Sequence, residues 1–393
     1  MAATDDEETL EKRTLIGQLT RNGISHGGLN KLMEAANVDD IQEITKRVFD
    51  LNEADLLRKI AIEGIFKKLN TLKNSQRNER YFAKIHKSFR SGTDNKVVFV
   101  EGDSWFNYPI ILSDIVDWIA MDKKLAVYSS AAGGDWLLNM LATREYVDGL
   151  SIHQPDFFLL SGGGNDIAGM LRLALMVNVK KTSRETDSAF RHNLWAQHLI
   201  EHSYGTVDKN RWENAIPWIS KDFFALLMLF RLQYYSVLKN LLIGSSSPSK
   251  FQDLTIITQG YDYLLPSFNS GWGIKPWLWY VPVLRWIGHG KWLKRPLMIR
   301  GINDEQLQKD ILYVMVFLFN EMLIELGHYF WQKGYGNRVF HIDSRDWIQE
   351  GEWTDEIHPK PYKFKAIADR YIDCINGKAV SGHPVYKNVY KVL

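Results

Sequence analysis

A serine follows a short apolar run in the first third of the chain. Residues 97–100 read VVFV and residues 101–106 read EGDSWF, which predicts a buried strand ending on a turn that presents the hydroxyl of Ser104. A serine hydroxyl attacks an acyl carbon efficiently only when a base removes its proton and nearby donors stabilise the oxyanion. Ser104 is therefore a candidate nucleophile, and an ordinary turn is the alternative interpretation.

A base and a carboxylate lie close together near the other end of the chain. Asp355 precedes His358 by three residues in the segment DEIHP, which follows a strand-like run at 339–342. A neutral imidazole can take the serine proton, and an aspartate can fix the tautomer of the ring and stabilise the imidazolium. Of the eleven histidines we therefore choose His358 as the base. The alternatives are a structural Asp–His hydrogen bond or half of a metal site.

Two glycine-rich segments between these ends could supply oxyanion donors. The segments GGD at 133–135 and GGGND at 162–166 each follow a strand-like run. At such strand ends a backbone N–H and a side-chain amide can point at one spot, as an oxyanion requires. A tight turn would use the same glycines. The amide of Asn165, which follows three glycines, has no evident structural task.

The four segments occur in the order, and in the strand-end contexts, that ester hydrolases of the SGNH (GDSL) superfamily show, and the chain resembles that superfamily. The resemblance covers residues 97–170, about 254–262 and 338–376, which is under half of the chain. Two positions depart from the family pattern. Trp105 stands where the family has Leu, and Ser129 stands where many relatives have Asn.

The resemblance implies a role for each matching residue. Ser104 would attack, His358 would relay the proton and Asp355 would orient the imidazole. The backbone N–H groups of Ser104 and Gly134 and the side chain of Asn165 would form the oxyanion hole. No metal or cofactor is implied.

Short apolar segments alternate with helical patterns, which predicts a doubly wound α/β fold with a parallel sheet covered on both faces. We expect a flavodoxin-like sheet of five strands with the site beyond the carboxyl ends of the strands. The predicted strands are 97–100, 125–128, 156–160, 254–259 and 339–342, and the predicted helices include 108–121, 136–150, 221–242, 303–334 and 362–375. The tail from residue 377 onward supports no prediction.

The chain is longer than a usual single domain, so we expect more than one unit. Residues 1–92 form a predicted helical N-terminal module that indicates no chemistry of its own. It could pack on the hydrolase, mediate oligomerisation, or serve as a targeting or partner-binding unit. Residues 93–393 form the predicted hydrolase domain, with insertions at about 171–253 and 264–303.

The second insertion is basic and aromatic. From residue 264 to residue 303 it contains no acidic residue. Its rings could simply cover inserted helices, or form a lid or acyl pocket at a lipid–water boundary, or stack on a sugar. Single-stranded nucleic acid is the weakest of these interpretations. The candidate substrate-binding residues are Trp105, Trp136, Trp272, Trp277 and Trp279.

Residues 198–202 read HLIEH, the H-x-x-E-H order of inverted zinc metallopeptidases. On a helix both histidines would share a face, but the chemistry needs a further acidic ligand downstream that the sequence does not identify. We therefore expect a solvated or locally hydrogen-bonded histidine pair.

Composition limits the partners. The formal charge of +2 provides no global attraction to nucleic acid or to a membrane, although the Trp-rich basic insertion could contact a membrane surface. The single cysteine, Cys374, excludes an internal disulfide framework. The acidic N-terminus does not read as a secretory signal, and no apolar run of membrane-spanning length interrupts the chain. A cytoplasmic location is expected, with leaderless export left open.

These observations predict a serine ester hydrolase without cofactors that cleaves an acyl ester or thioester, from a small molecule or a lipid, with an apolar acyl portion. A carbohydrate O-acetylesterase that uses the same machinery is the alternative within this class. A non-catalytic binding protein on a hydrolase fold, acting through its N-terminal helices, is the alternative from another class.

Overall fold

A computed structural model of the protein describes residues 5–37, 40–41, 44, 53–92, 94–108, 113–168, 172–182, 188–244, 251–268, 292–378 and 385–392. The strands are β1 (Lys96–Gly102), β2 (Leu125–Ser129), β3 (Phe157–Ser161), β4 (Thr255–Gln259), β5 (Val339–Asp343) and β6 (Val389–Lys391). The α-helices are α1 (Asp5–Thr20), α2 (His26–Ala35), α3 (Glu53–Ser91), α4 (Ile115–Ala120), α5 (Leu137–Thr143), α6 (Glu145–His153), α7 (Gly164–Ala168), α8 (Arg172–Leu175), α9 (Leu194–Glu201), α10 (Lys209–Ala215), α11 (Lys221–Leu242), α12 (Lys294–Ile299), α13 (Glu305–Phe330) and α14 (Pro361–Ile375).

The described strands form one sheet in the order β2-β1-β3-β4-β5-β6, and every neighbouring pair is parallel. On β1, Val98 lies opposite Val127 of β2 and Phe157 of β3. Consecutive residues of the central strands are buried, as expected for a sheet with helices on both faces. The order of the first five strands is the flavodoxin-like order, so the predicted α/β class is confirmed.

The predicted number of five strands is wrong, because the described part of the chain contains six. Strand β6 is only three residues long and lies in the tail for which the sequence supported no prediction. Its position comes from pairing with β5 and from Val389, which packs with Ile324 and Tyr386. A strand this short has no recognisable apolar alternation of its own.

Two of the predicted helices differ from the observed ones. The predicted helix 136–150 is divided into α5 and α6 by Arg144, whose φ of 53° is left-handed. The predicted helix 108–121 is observed only as α4, which begins after the capping box of Asp114 and Asp117. Residues 109–112 of that prediction lie outside the described residues.

Helix α11 has the predicted bounds but is buried around almost its whole circumference rather than on one face. Helices α1, α2, α5 and α13 pack around it. Even Arg231 is fully buried, and its guanidinium donates to both carboxylate oxygens of Glu325 on α13 at 2.8 and 2.9 Å. A buried charge requires such a partner. Among the described helices, α13 with the turn that follows it is long and apolar enough to cross a membrane, but 89% of its most apolar stretch is buried inside the protein.

The described residues before position 93 are helical, as predicted, and share their core with the rest of the protein. Leu19, Leu29 and Leu32 are fully buried in the same continuous apolar cluster as the sheet. Helix α3 packs along β2, which is an edge strand. The division into a module before residue 93 and a hydrolase domain with two insertions stays a prediction.

Candidate active site

The four predicted segments meet at one edge of the sheet. Ser104 follows β1, the turn at 130–135 follows β2, and the turn at 162–165 follows β3. The loop with Asp355 and His358 follows β5. All four lie at the carboxyl ends of parallel strands, which is where α/β sheets of this kind bind ligands.

The structure brings the serine, histidine and aspartate into one hydrogen-bonded chain. His358 Nε2 lies 2.7 Å from Ser104 Oγ. His358 Nδ1 lies 2.9 and 3.0 Å from the two carboxylate oxygens of Asp355. With Nδ1–H held by the carboxylate, the lone pair of Nε2 is directed at the serine hydroxyl. All three residues are buried, and 9% of the surface of Ser104 is exposed to solvent.

The carboxylate of Asp355 is held in its ionised form by its surroundings. It accepts the backbone N–H groups of Ile357 and His358 at 2.9 and 2.8 Å. Tyr108 donates its hydroxyl to the second oxygen at 3.1 Å, and its ring packs edge-on against the imidazole. Although burial opposes ionisation, the His358 ring and these donors lower the pKa of Asp355 below its usual value.

Two backbone N–H groups at the same strand ends have no acceptor in the described part of the chain. Gly133 N–H donates to Asn70 Oδ1 at 3.2 Å, whereas Gly134 N–H and Ser104 N–H have no acceptor among the described residues. Gly134 is exposed and has φ of 88°, a conformation that favours glycine. Asn165 donates one amide N–H to the carbonyl of residue 135 at 2.9 Å, which leaves its second N–H for another acceptor.

A buried tyrosine that the sequence analysis missed joins two of these loops to the end of β4. Tyr261, just after β4, donates its hydroxyl to the carboxylate of Asp103 and accepts the N–H of Gly164 at 3.0 Å. Burial raises the pKa of Asp103 to about 6, although the hydrogen bonds from Tyr261 and Trp105 N–H oppose the shift. The position of Tyr261 after a strand was the one signal in the sequence.

The structure describes two of the five predicted substrate-binding tryptophans. Trp105 is buried, and its indole N–H donates to the carbonyl of Ile357 at 2.9 Å, so it links the turn after β1 to the loop that carries His358. Trp136 is half-buried at the start of α5, with the guanidinium of Arg172 3.1 Å from the centre of its ring. Trp272, Trp277 and Trp279 lie outside the described residues.

Glu356, next to Asp355, holds both described parts of the Trp-rich insertion. Its carboxylate accepts the backbone N–H groups of Ser267 at 3.2 Å, Trp292 at 2.8 Å, Leu293 at 3.1 Å and Lys294 at 2.8 Å. Burial raises the pKa of Glu356, and these four donors oppose the shift. Residues 267 and 292 are therefore anchored at the loop that carries the candidate base.

The HLIEH segment forms the end of α9 together with the C-cap residue His202. Ligand atoms of His198, Glu201 and His202 lie within 4.8 Å of one another, so these side chains could hold a metal ion. His202 Nδ1 lies 3.0 Å from the carbonyl of His198, and the two rings are 4.2 Å apart. The locally hydrogen-bonded histidine pair that the sequence predicts is observed.

The further acidic ligand of a metallopeptidase is not part of this group within the described residues. Glu325 influences the pKa of His198. Its carboxylate is, however, engaged by Arg231 in the bidentate pair described above.

No protein-family model matches the sequence of this chain, and no curated protein matches it. A protein from Parabacteroides merdae provisionally described as a GDSL-like lipase is 13% identical in sequence, with a TM-score of 0.31, over 72% of this chain and 97% of that one. A catalytic mutant of Axe2, an acetylxylan esterase from Geobacillus stearothermophilus, is 9% identical, with a TM-score of 0.34, over 72% and 94%. Likeness at this level concerns the fold alone. The strand order and the four segments at the strand ends agree with the SGNH (GDSL)-like fold that the motifs imply.

Proposed function

We propose that this protein is a serine ester hydrolase of the SGNH (GDSL) type that works through an acyl-enzyme on Ser104. The chain of hydrogen bonds from Ser104 through His358 to Asp355 is the observation that carries the proposal. It is supported by the backbone N–H groups of Ser104 and Gly134 and by the side-chain amide of Asn165, which can donate hydrogen bonds to an oxyanion.

In the first half of the reaction, Ser104 Oγ attacks the acyl carbon while His358 Nε2 takes the hydroxyl proton. The carbonyl electrons move onto oxygen, and the oxyanion is stabilised by the donors named above. His358 then gives its proton to the leaving alcohol or thiol, and the ester bond breaks. Asp355 stabilises the imidazolium throughout, because its carboxylate remains ionised.

In the second half, His358 takes a proton from a water molecule, which attacks the acyl-enzyme carbonyl. The tetrahedral species collapses, the proton returns to Ser104 Oγ and the carboxylic acid leaves. Every proton in this cycle passes through His358 Nε2. The roles require no metal or redox cofactor.

An apolar acyl portion is the proposed substrate feature. Within the Trp-rich, acid-free segment, Ser267 and Trp292 donate their backbone N–H groups to Glu356 beside the histidine loop, which supports a place for this segment near the acyl chain. Aromatic and long basic side chains suit a boundary between an apolar chain and a polar head group. A carbohydrate O-acetylesterase is the second candidate, since Trp136 lies half-exposed beside the proposed oxyanion turn and could stack on a sugar.

Hydrolysis of p-nitrophenyl esters from acetate to dodecanoate tests the proposal. The wild-type protein is expected to turn over these esters with a rate that rises with chain length. Ser104→Ala should lower kcat by roughly 10³-fold or more, as for loss of a nucleophile. Ser75→Ala, which removes an exposed hydroxyl on α3, is the matched control and should leave kcat unchanged.

Each other outcome is informative. Activity of Ser104→Ala within about tenfold of wild type would contradict the mechanism. Serine-dependent turnover confined to acetate would favour the carbohydrate O-acetylesterase. Absence of turnover with every ester, including acetylated sugars and lipid esters, would favour the non-catalytic binding protein.

A further inference from the structure

Helix α3, for which the sequence indicates no chemistry, meets the sheet through a row of asparagine amides. Asn70 and Asn78 each form two hydrogen bonds with the backbone of one residue. Asn78 accepts the N–H of Ser129 at 2.9 Å and donates to its carbonyl at 3.1 Å. Asn70 accepts the N–H of Gly133 at 3.2 Å and donates to its carbonyl at 3.1 Å. A carboxamide offers the same donor and acceptor as a peptide group, so α3 pairs the open edge of the sheet as a neighbouring strand would.

Asn74 stands between these two residues at the same helical spacing of four. Its amide donates to the carbonyl of Ala131 at 2.9 Å. Asn107, three residues after the candidate nucleophile, donates to the same carbonyl at 2.6 Å. The row of amides therefore continues past the end of β2 into the turn that carries the proposed oxyanion donor.

The contact of Asn70 has a direct geometric consequence for that donor. The carbonyl of Gly133 and the N–H of Gly134 belong to one peptide unit. In a planar trans peptide these two groups point in opposite directions. By holding the carbonyl, Asn70 aims the Gly134 N–H away from α3. Gly133 is buried, whereas Gly134 is exposed.

Two basic residues of the same helix hold the loop after Ser104. Lys73 donates to the carbonyl of Tyr108 at 2.7 Å, and Arg77 donates to the carbonyl of Phe106 at 2.8 Å. Both cations are buried and pair with Asp114, at 2.7 Å from Lys73 and 2.6 Å from Arg77. Buried, paired charges of this kind hold a backbone in one geometry, because breaking one pair leaves the other charge uncompensated.

We propose that α3 is an integral support of the active site and that Asn70 is a positioning residue for the oxyanion hole. The inference rests on the proposed function for its catalytic half. Asn70 orients the Gly134 N–H, and Lys73 and Arg77 hold the backbone that follows Ser104. The N-terminal region is thus required for the rate of the chemical step and not only for stability.

The test compares Asn70→Ala with Asn78→Ala, because each substitution removes an equivalent pair of hydrogen bonds between α3 and the backbone of one residue. Asn78 contacts the end of β2, whereas Asn70 contacts the oxyanion turn. Asn70→Ala should lower kcat by roughly 10- to 100-fold with KM nearly unchanged, because a small displacement of a catalytic donor has effects of that size. Asn78→Ala should lower the thermal midpoint to a similar extent and leave kcat within about twofold of wild type.

A second variant separates the two bonds of Asn70. Asn70→Asp keeps an acceptor for the Gly133 N–H but cannot donate to the Gly133 carbonyl. It is expected to lose as much kcat as Asn70→Ala if orientation of that peptide is the cause. Recovery of wild-type kcat in Asn70→Asp would overturn the proposed route.

Hydrogen exchange of the backbone amides at 130–136 provides a readout that does not depend on activity. Asn70→Ala should exchange faster there than Asn78→Ala, with α14 as an internal reference. Equal exchange and equal kcat in the two variants would overturn the inference. If wild type shows no Ser104-dependent turnover, the proposed function fails, and unchanged exchange in Asn70→Ala would separately refute the positioning role.

Discussion

Two of the groups in which a histidine and a carboxylate are close in sequence have different surroundings. His358 and Asp355 lie in a loop after β5, are buried, and reach Ser104 across 254 residues of sequence. His198 and His202 lie at the end of α9 with the exposed Glu201. A single turn of that helix brings the three side chains together.

The difference lies in what each imidazole nitrogen contacts. In the first group one nitrogen of His358 faces a carboxylate and the other faces a hydroxyl. In the second group His202 Nδ1 faces a backbone carbonyl, and burial together with the neighbouring His202 lowers the pKa of His198. The first group joins residues that follow two different strands, whereas the helical turn places histidine beside histidine. Proximity in sequence alone does not distinguish the two.

Replacement of one histidine from each group gives the largest expected contrast. His358→Ala should lower kcat for p-nitrophenyl esters by roughly 10³-fold or more, since the base and the acid of both half-reactions are lost. His202→Ala should leave kcat unchanged. The double variant Ser104→Ala with His358→Ala should be little worse than either single variant, because the two residues act as a unit.

The opposite result would overturn the comparison. A large loss of activity in His202→Ala, with a normal thermal midpoint, would place the chemistry at α9. Retention of activity in His358→Ala would remove the imidazole from the mechanism.

Asparagine variants sharpen the comparison at the active site itself. Asn165→Ala should lower kcat by roughly 10²- to 10³-fold, as for loss of one oxyanion donor. Asn139→Ala is the matched control, because Asn139 also donates to residue 135. Its acceptor is the side-chain carboxylate of Asp135, at 2.9 Å, rather than the backbone carbonyl. An equal loss of kcat in both variants would indicate that Asn165 acts by holding the turn rather than the oxyanion.

The chemical groups of the site could be predicted from sequence because each belongs to a local segment. Ser104, Asn165 and His358 each stand just after an apolar run or in a loop beyond one. Parallel strands bring their carboxyl ends together whatever the details of packing. The order of these segments, together with the resemblance to SGNH (GDSL) hydrolases, was therefore sufficient to propose them as candidates.

The supports of the site could not be predicted, because they depend on which surfaces meet. Asn70 lies on a helix whose pattern does not say which strand edge it will cover, and Gly133 is 63 residues away. Arg231 and Glu325 likewise look like surface charges until α11 is enclosed on all sides. Tertiary contact, rather than periodicity, decides these positions.

A buried carboxylate near the carboxyl end of β1 extends the contrast with the exposed Glu201 to stability. Burial raises the pKa of Glu101 on β1 to about 8, although its hydrogen bonds to Ser130 and Gly102 oppose the shift. The folded protein therefore retains this proton while the unfolded chain loses it above its usual pKa of 4.5. Stability from this group is complete below pH 4.5, falls as pH rises, and is lost by about pH 8.

Glu101→Gln should remove this pH dependence, because the amide does not titrate. The difference in unfolding free energy between wild type and variant is expected to change by a few kcal/mol at most between about pH 5 and about pH 9, at roughly 1.4 kcal/mol per pKa unit. Urea unfolding at the two pH values measures it. Other buried acids, such as Asp103 and Asp262, cancel in the difference. An equal pH dependence in both proteins would show that Glu101 is ionised when folded.

Metal removal is expected to have the smallest effect on activity and decides what the α9 group does. Dialysis against a chelator should leave hydrolysis of the esters unchanged, since no proposed step uses a metal. Loss of activity that zinc restores, and that disappears in a His202→Ala background, would instead assign a catalytic metal to His198, Glu201 and His202. A zinc-dependent rise in the thermal midpoint without any change in kcat would assign these residues a structural ion. The α9 group would then contribute to stability and the His358 group to the reaction, because ion binding stabilises only the folded state.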